Sequence, residues 1–241
     1  MNQAGIRNRQ PVPEMKLAIL QPVLVPDLHD LALMLASDTI VYQDSEPWSR
    51  KGRTHRAMIR TPDGTDYLNI PVMTRDRKKP IGDVRIDHSE KWIETWLRSL
   101  EFNYRNSVYY DFYEPEIRAD IESGHQFELL LDFSLFLRRR LFQFLEIEIP
   151  AKVLYTGSME KYSSDPDQLA ASLGADVYFQ EHDARHYQRQ GERRSDPAFK
   201  HPEYRQHFEG FEPYCCLLDL LFQYGPESFR VIRLLQASEG P

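Results

Sequence analysis

Cysteine is almost missing from this 241-residue chain: Cys215 and Cys216 stand side by side and have no companions. Neighbouring cysteines cannot close an ordinary intrachain disulfide, so no disulfide framework is expected. In the apolar run CCLLDLLF they read as small core residues, which suits a reducing cytoplasm, with a vicinal redox pair as the alternative. Glycine is scarce too, and neither GxGxxG nor GxxxxGK[ST] occurs. ATP or NAD therefore has no motif behind it and no cofactor is expected. The GxSxG of a serine nucleophile is also absent. No run approaches the 18 uncharged apolar residues of a membrane-spanning helix. The opening MNQAGIRNRQPVPEM lacks the apolar core of a signal peptide. Residues 1–14 read as a disordered lead-in, with Met15 as an alternative start. A net charge of −7 argues against broad nucleic-acid binding, which needs a basic footprint.

What is present describes an ordinary globular chain, 41% hydrophobic and 28% charged, long enough for one large domain. The reading is a single α/β domain over residues 15–237. Positive charge is clustered on the acidic background: Arg50, Lys51, Arg53, His55 and Arg56; then Arg75, Arg77, Lys78 and Lys79; then Arg185, Arg189, Arg193 and Arg194. Local basic pockets suit a small phosphorylated or carboxylated ligand better than a long polyanion. The plainer reading of any one cluster is a solvated loop.

Lys16 to Gln21 (KLAILQ) predicts a buried strand, Asp27 caps a helix carrying Leu28, Leu31 and Leu35, and Thr39 to Gln43 predicts a second strand. That order is a βαβ unit with a parallel pair, whose first loop opens at the ligand-binding carboxyl edge. His55–Arg60 and Tyr67–Val72 flank TPDG, a hairpin signal, and Asp83–Ile86 predicts a short strand. From Ser89, read as a helix cap, the character becomes helical through Val108–Ile121 and Phe127–Leu145. Lys152–Tyr155 and Ala175–Phe179 are strands around a helix at Pro166–Leu173. A long loop over 180–213 leads to an apolar helix from Phe211 to Phe222. The fold expected is α/β: a central mixed, partly parallel sheet flanked by helices, with a helical insertion around residues 89–145.

Three carboxylates sit among apolar neighbours or at a strand start: Asp132, Asp219 and Asp176. A carboxylate among apolar side chains is either paired glue or a general base with raised proton affinity. His182 and His186, four apart, have a spacing that suits a metal, but further ligands are not evident. His201, beside Pro202 and Tyr204, is a candidate acid or base, or else a hydrogen-bonded loop anchor.

Several segments, in order, resemble the WbqC-like family from Met15 to Ser228. LAILQPVLVPDL matches the family's opening at Gln21, Pro22 and Pro26, with Leu20 where a histidine is usual. Arg56, the hairpin Thr61-Pro62-Asp63-Gly64 and Ile70-Pro71-Val72 match the next segment, with Met58 in place of a second arginine. WIETWLRSLEFNY supplies Arg98 and Tyr104, and LGADVYF and HPEY…FEP…LLDLLFQYGPES match the C-terminal segments. EHDARHYQ replaces a Ser-Gly-rich turn. The resemblance implies the setting of bacterial surface polysaccharide and lipopolysaccharide synthesis, and a transferase-type enzyme acting on a nucleotide-linked sugar. On that reading Arg50, Arg53, Arg56 and Arg98 hold phosphate or carboxylate groups, His201 or Asp219 shuttles a proton, and Gln21, Tyr104 and Tyr204 contact the substrate. The partner expected is that small molecule, with no nucleic acid and no membrane insertion. The alternative is a non-catalytic binding or scaffold relative that lost its chemistry at Leu20.

Overall fold

The computed structural model describes residues 15–180 and 199–236. Its centre is a four-stranded parallel sheet of β1 (Lys16–Leu20), β2 (Thr39–Tyr42), β5 (Lys152–Tyr155) and β6 (Val177–Gln180), in the order β5-β2-β1-β6. Burial follows that order. The inner strands KLAIL and TIVY are buried on both faces, whereas the edge strands KVLY and VYFQ are half covered. The strands expected to share one sheet do so. The antiparallel pairing lies apart, in the hairpin β3 (Arg56–Thr61) and β4 (Gly64–Asn69) that turns at Pro62-Asp63.

Alternation along the strands gives the sheet two apolar faces. Ala18, Leu20, Ile40, Tyr42 and Phe179 pack with Leu33 and Met34 of α1 (Leu28–Leu35), while Leu17, Ile19, Val41 and Tyr178 pack with Leu169 and Ala170 of α5 (Pro166–Ser172). The insertion between β2 and β5 carries the hairpin and three helices, α2 (Trp92–Tyr104), α3 (Tyr110–Glu122) and α4 (Leu130–Phe144). It shares the largest apolar cluster with Leu28 and Leu31 of α1, with α6 (Leu217–Tyr224) and with α7 (Phe229–Gln236). α1 is therefore apolar almost all round, because one side meets the sheet and another meets the insertion. Among the described residues no helix is long and apolar enough to cross a membrane.

Several local expectations differ from the structure. Ser89 does not cap α2: its hydroxyl donates to Asp87 at 2.6 Å, and Lys91 occupies the cap position without a side-chain bond. Asp83–Ile86 is not a strand. A 3-10 turn covers Ile81–Asp83, after which Arg85 and Ile86 make one isolated bridge each, to Leu129 and Val72. α3 starts at Tyr110 rather than Val108. α6 starts at Leu217 rather than Phe211, because Tyr214 takes a left-handed φ of 66° and Cys216 is extended. Asp132 is not set into the core. It lies exposed in the first turn of α4, whose buried face is Leu130, Leu131, Phe133, Leu137 and Leu141. An acid there suits the positive end of the helix. Residues 1–14, the His182/His186 pair and the third arginine cluster lie outside the described residues.

Candidate functional site

α1 and α5 cover opposite faces, and the chain passes from β5 to β6 across the two inner strands. Connections therefore reverse between β1 and β6, and ligands of open α/β sheets bind at the carboxyl ends of strands flanking such a point. Gln21 follows β1 directly and is half buried there. Six residues on, Asp27 opens α1 with a reciprocal capping box. Its Oδ1 accepts the His29 and Asp30 amides at 2.8 and 3.0 Å, and Asp30 Oδ2 accepts the Asp27 amide at 2.9 Å.

That box is also a buried pair of acids, Asp27 4% and Asp30 2% exposed. Arg53 donates to Asp30 and stands 3.5 Å from Asp27 Oδ2. One guanidinium does not offset the burial of two carboxyls. Burial first, then the Asp30 charge, pushes the Asp27 carboxyl up to about 7, against the pull of Arg53 and two amides. An acid so poised exchanges a proton near neutral pH. His29, also buried, lies with its ring 4.7 Å from Phe199.

The loop after β2 supplies Arg53 and is itself pinned. Asp44 Oδ1 accepts the Gly157 amide at 2.8 Å and the Thr156 hydroxyl at 3.0 Å, fastening the carboxyl ends of β2 and β5 together. Gly157 is required by that approach, since a Cβ there would stand 2.8 Å from Asp44 Oδ2. The Leu24 amide donates to Arg53 O at 3.1 Å, tying this loop to the one after β1.

A second polar group surrounds Asp219, which is fully buried in the first turn of α6. Its Oδ1 accepts from Tyr104 Oη at 3.0 Å; its Oδ2 accepts from Tyr204 Oη at 2.8 Å and Gln206 Nε2 at 3.2 Å. Tyr104 Oη in turn accepts the Arg60 amide at 2.9 Å. Burial raises the carboxyl's proton affinity, opposed by these donors and the Arg60 charge. The knot clamps β3, α2, the 199–214 segment and α6 to one another, which is anchoring work. His201 is held in the same way: Nδ1 donates to Pro202 O at 3.0 Å and Nε2 accepts the Tyr214 amide at 3.1 Å, so both ring nitrogens are taken by backbone. Cys215 and Cys216 are buried, and burial pushes the Cys216 thiol up to about 12.

The family model of the "WbqC-like protein family" matches residues 21–231, from the residue after β1 to α7. The chain belongs to that family. A similar protein is "Uncharacterized protein Rv1507c" of Mycobacterium tuberculosis, 26% identical over 227 residues, covering 88% of this chain and 95% of the relative. No solved structure matches.

Within this WbqC-like fold the residues picked out from sequence fall into separate groups. Tyr104, Tyr204 and Asp219 meet in the buried knot. Arg53 joins the acids of α1, and Arg56 lies with its guanidinium 4.4 Å over the Tyr67 ring and donates to Lys51 O. The two groups communicate through the start of α6, where the Leu217 amide donates to Pro26 O at 2.9 Å and the Cys216 amide to Met58 O at 2.8 Å. Arg50 is exposed, and Arg98 is exposed on α2 with its Nε on Glu94 O of the same helix. Leu20 is buried against Met34 and Tyr42 on the α1 face. A cavity of about 770 Å³ between α4 and the β2–β5 edge is lined by Asp132 but by none of the arginines, tyrosines or histidines expected in the site. Among the described residues no cluster of three or more His, Cys, Asp or Glu side chains could hold a metal. Sequence reasoning missed the Asp27–Asp30 pair and His29. Their signal is charge inside LVPDLHDLALML, a run otherwise apolar enough to be buried on both sides.

Proposed function

We propose that this WbqC-like protein is a transferase-type enzyme of surface-glycan synthesis that takes a nucleotide-linked sugar at the carboxyl edge of its sheet. Asp27 serves as the proton acceptor. The observation that supports this is the buried Asp27–Asp30 pair on Arg53, where the segment after β1 meets the loop after β2. Asp27 takes the proton of an acceptor hydroxyl as that oxygen bonds to the sugar's anomeric carbon, and the nucleoside diphosphate leaves with the electron pair. Arg53, on the loop after β2, and Arg56, the first residue of β3, are guanidinium groups that would stabilise the departing diphosphate.

The test is incubation of the full chain with a panel of sugar nucleotides and acceptor sugars, followed by mass spectrometry. Turnover that falls by about a hundredfold or more in Asp27→Asn, with sugar nucleotide still bound, is the result expected of a lost general base. Turnover unchanged in that variant removes Asp27 from the chemistry. A wild type that binds a sugar nucleotide and converts none supports the non-catalytic reading, which the apolar burial of Leu20 favours.

A further inference from the structure

Four side-chain atoms in the loop after β2 and the first residue of β3 are buried and bonded to nothing among the described residues: Glu46 Oε1, Trp48 Nε1, His55 Nδ1 and Arg56 Nε. Buried polar atoms in folded proteins have partners almost always, so such a concentration points to a partner the chain does not supply. Trp48 is only 7% exposed and its ring lies 4.9 Å from that of His55. Arg56 is fixed from two sides, by Tyr67 under its guanidinium and by Lys51 O, and still leaves its Nε free.

The charge around His55 is lopsided as well. Burial and the positive charges of Arg56 and Arg77 push its imidazole down to about 4. Arg50 and Lys51 are exposed on the same loop, where their charge draws anions in. The surroundings are thus rich in unused donors and positive charge. Three of the four unpartnered atoms are donors and only Glu46 Oε1 is an acceptor, so donors outnumber the acceptors that the loop itself offers.

We propose that Trp48, His55 and Arg56 form a phosphate subsite, with Trp48 Nε1–H, His55 Nδ1–H and Arg56 Nε–H each donating to a phosphate oxygen. Three donors on three side chains suit a tetrahedral group with several oxygens better than a flat carboxylate. Glu46 Oε1, the one orphan acceptor of the four, suits a hydroxyl on the ligand. The subsite rests on the proposed function only for what the phosphate is attached to.

The experiment is NMR on the isotope-labelled full chain, titrated with inorganic phosphate, diphosphate and acetate at constant ionic strength. Phosphate and diphosphate are expected to move the Trp48 indole N–H resonance and to raise the His55 titration midpoint, since a nearby anion favours the imidazolium. Two variants both lose the ring but differ in reach. His55→Asn keeps an amide where Nδ1 was and retains binding; His55→Gln does not, and binds about tenfold more weakly, as for one lost bond to a charged group. Equal affinities in the two variants, an unmoved Trp48 resonance, or acetate binding as well as phosphate would each overturn the subsite. Phosphate bound here without sugar transfer would sink the enzyme reading alone. Transfer that ignores both His55 variants would sink the subsite alone.

Discussion

Replacing Asp27 by Asn should change how stability depends on pH, with a sign that follows from burial. The Asp27 carboxyl is raised in the fold from 3.8 to about 7. Between those values the folded chain binds more protons than the unfolded one, so stability is lost as pH rises from roughly 4 to 7. At 1.36 kcal/mol per unit the full shift corresponds to on the order of 4 kcal/mol. Asn keeps an Oδ1 for the His29 and Asp30 amides, and Asn caps helices about as well as Asp. It loses the charge, and with it the 3.5 Å approach of Arg53, which retains its bond to Asp30. The variant is therefore expected to be more stable than wild type at pH 8 by about 2–4 kcal/mol, and close to wild type at pH 4. His55 has the opposite sign. Its folded value of about 4 lies below the ordinary 6.5, so its contribution grows as pH rises across that window. It acts in both proteins and cancels from the difference. Urea melts at half-unit steps from pH 4 to 8 measure that difference. A gap that stays constant with pH, or a variant weaker than wild type at pH 8, refutes the account of Asp27.

Tyr104→Phe removes a donor to Asp219 and the acceptor of the Arg60 amide, and should cost about 2–4 kcal/mol in urea melts; Tyr204→Phe, losing one bond, should cost about half that. Gly157→Ala drives a methyl against Asp44, so a loss of about 1–3 kcal/mol is expected, shrinking in an Asp44→Ala background where the clash is gone. Leu20→His buries an imidazole against Met34 and Tyr42; calorimetry should show a lower Tm, by the order of 2–4 kcal/mol in stability, and mass spectrometry no gain in sugar transfer.

The sheet was legible because each strand is a short apolar run whose evenness reports its depth: KLAIL and TIVY in the middle, KVLY at an edge. Helix ends were less so. The start of α6 depends on a left-handed Tyr214 and on pairing of Cys216 with Met58, and neither leaves a periodic trace. Asp27 was legible only as a cap, because an acid three residues before another at a helix start is first of all a capping signal. Its second role emerges only when Arg53 arrives from another loop and the insertion closes over α1. The knot of Tyr104 with Asp219 joins residues far apart in the chain, and no spacing rule reaches that far; family order alone put them on one page. Asp132 misled because LLLDFSLFL looks uniformly apolar until the helical period places the acid on the outer side.

The register that sets Thr39 against Lys152 has a consequence for how the chain assembles. β1, α1 and β2 can meet early, since little chain separates them. β5 cannot join until the hairpin and three helices between it and β2 have been gathered in, and closing so long a loop is slow. Asp44 and Gly157, which seal that junction, are then late contacts in folding. Damage to them should leave the folding rate nearly untouched and quicken unfolding. The rim that holds the candidate site would thus be the last part of the sheet to form and the first to open.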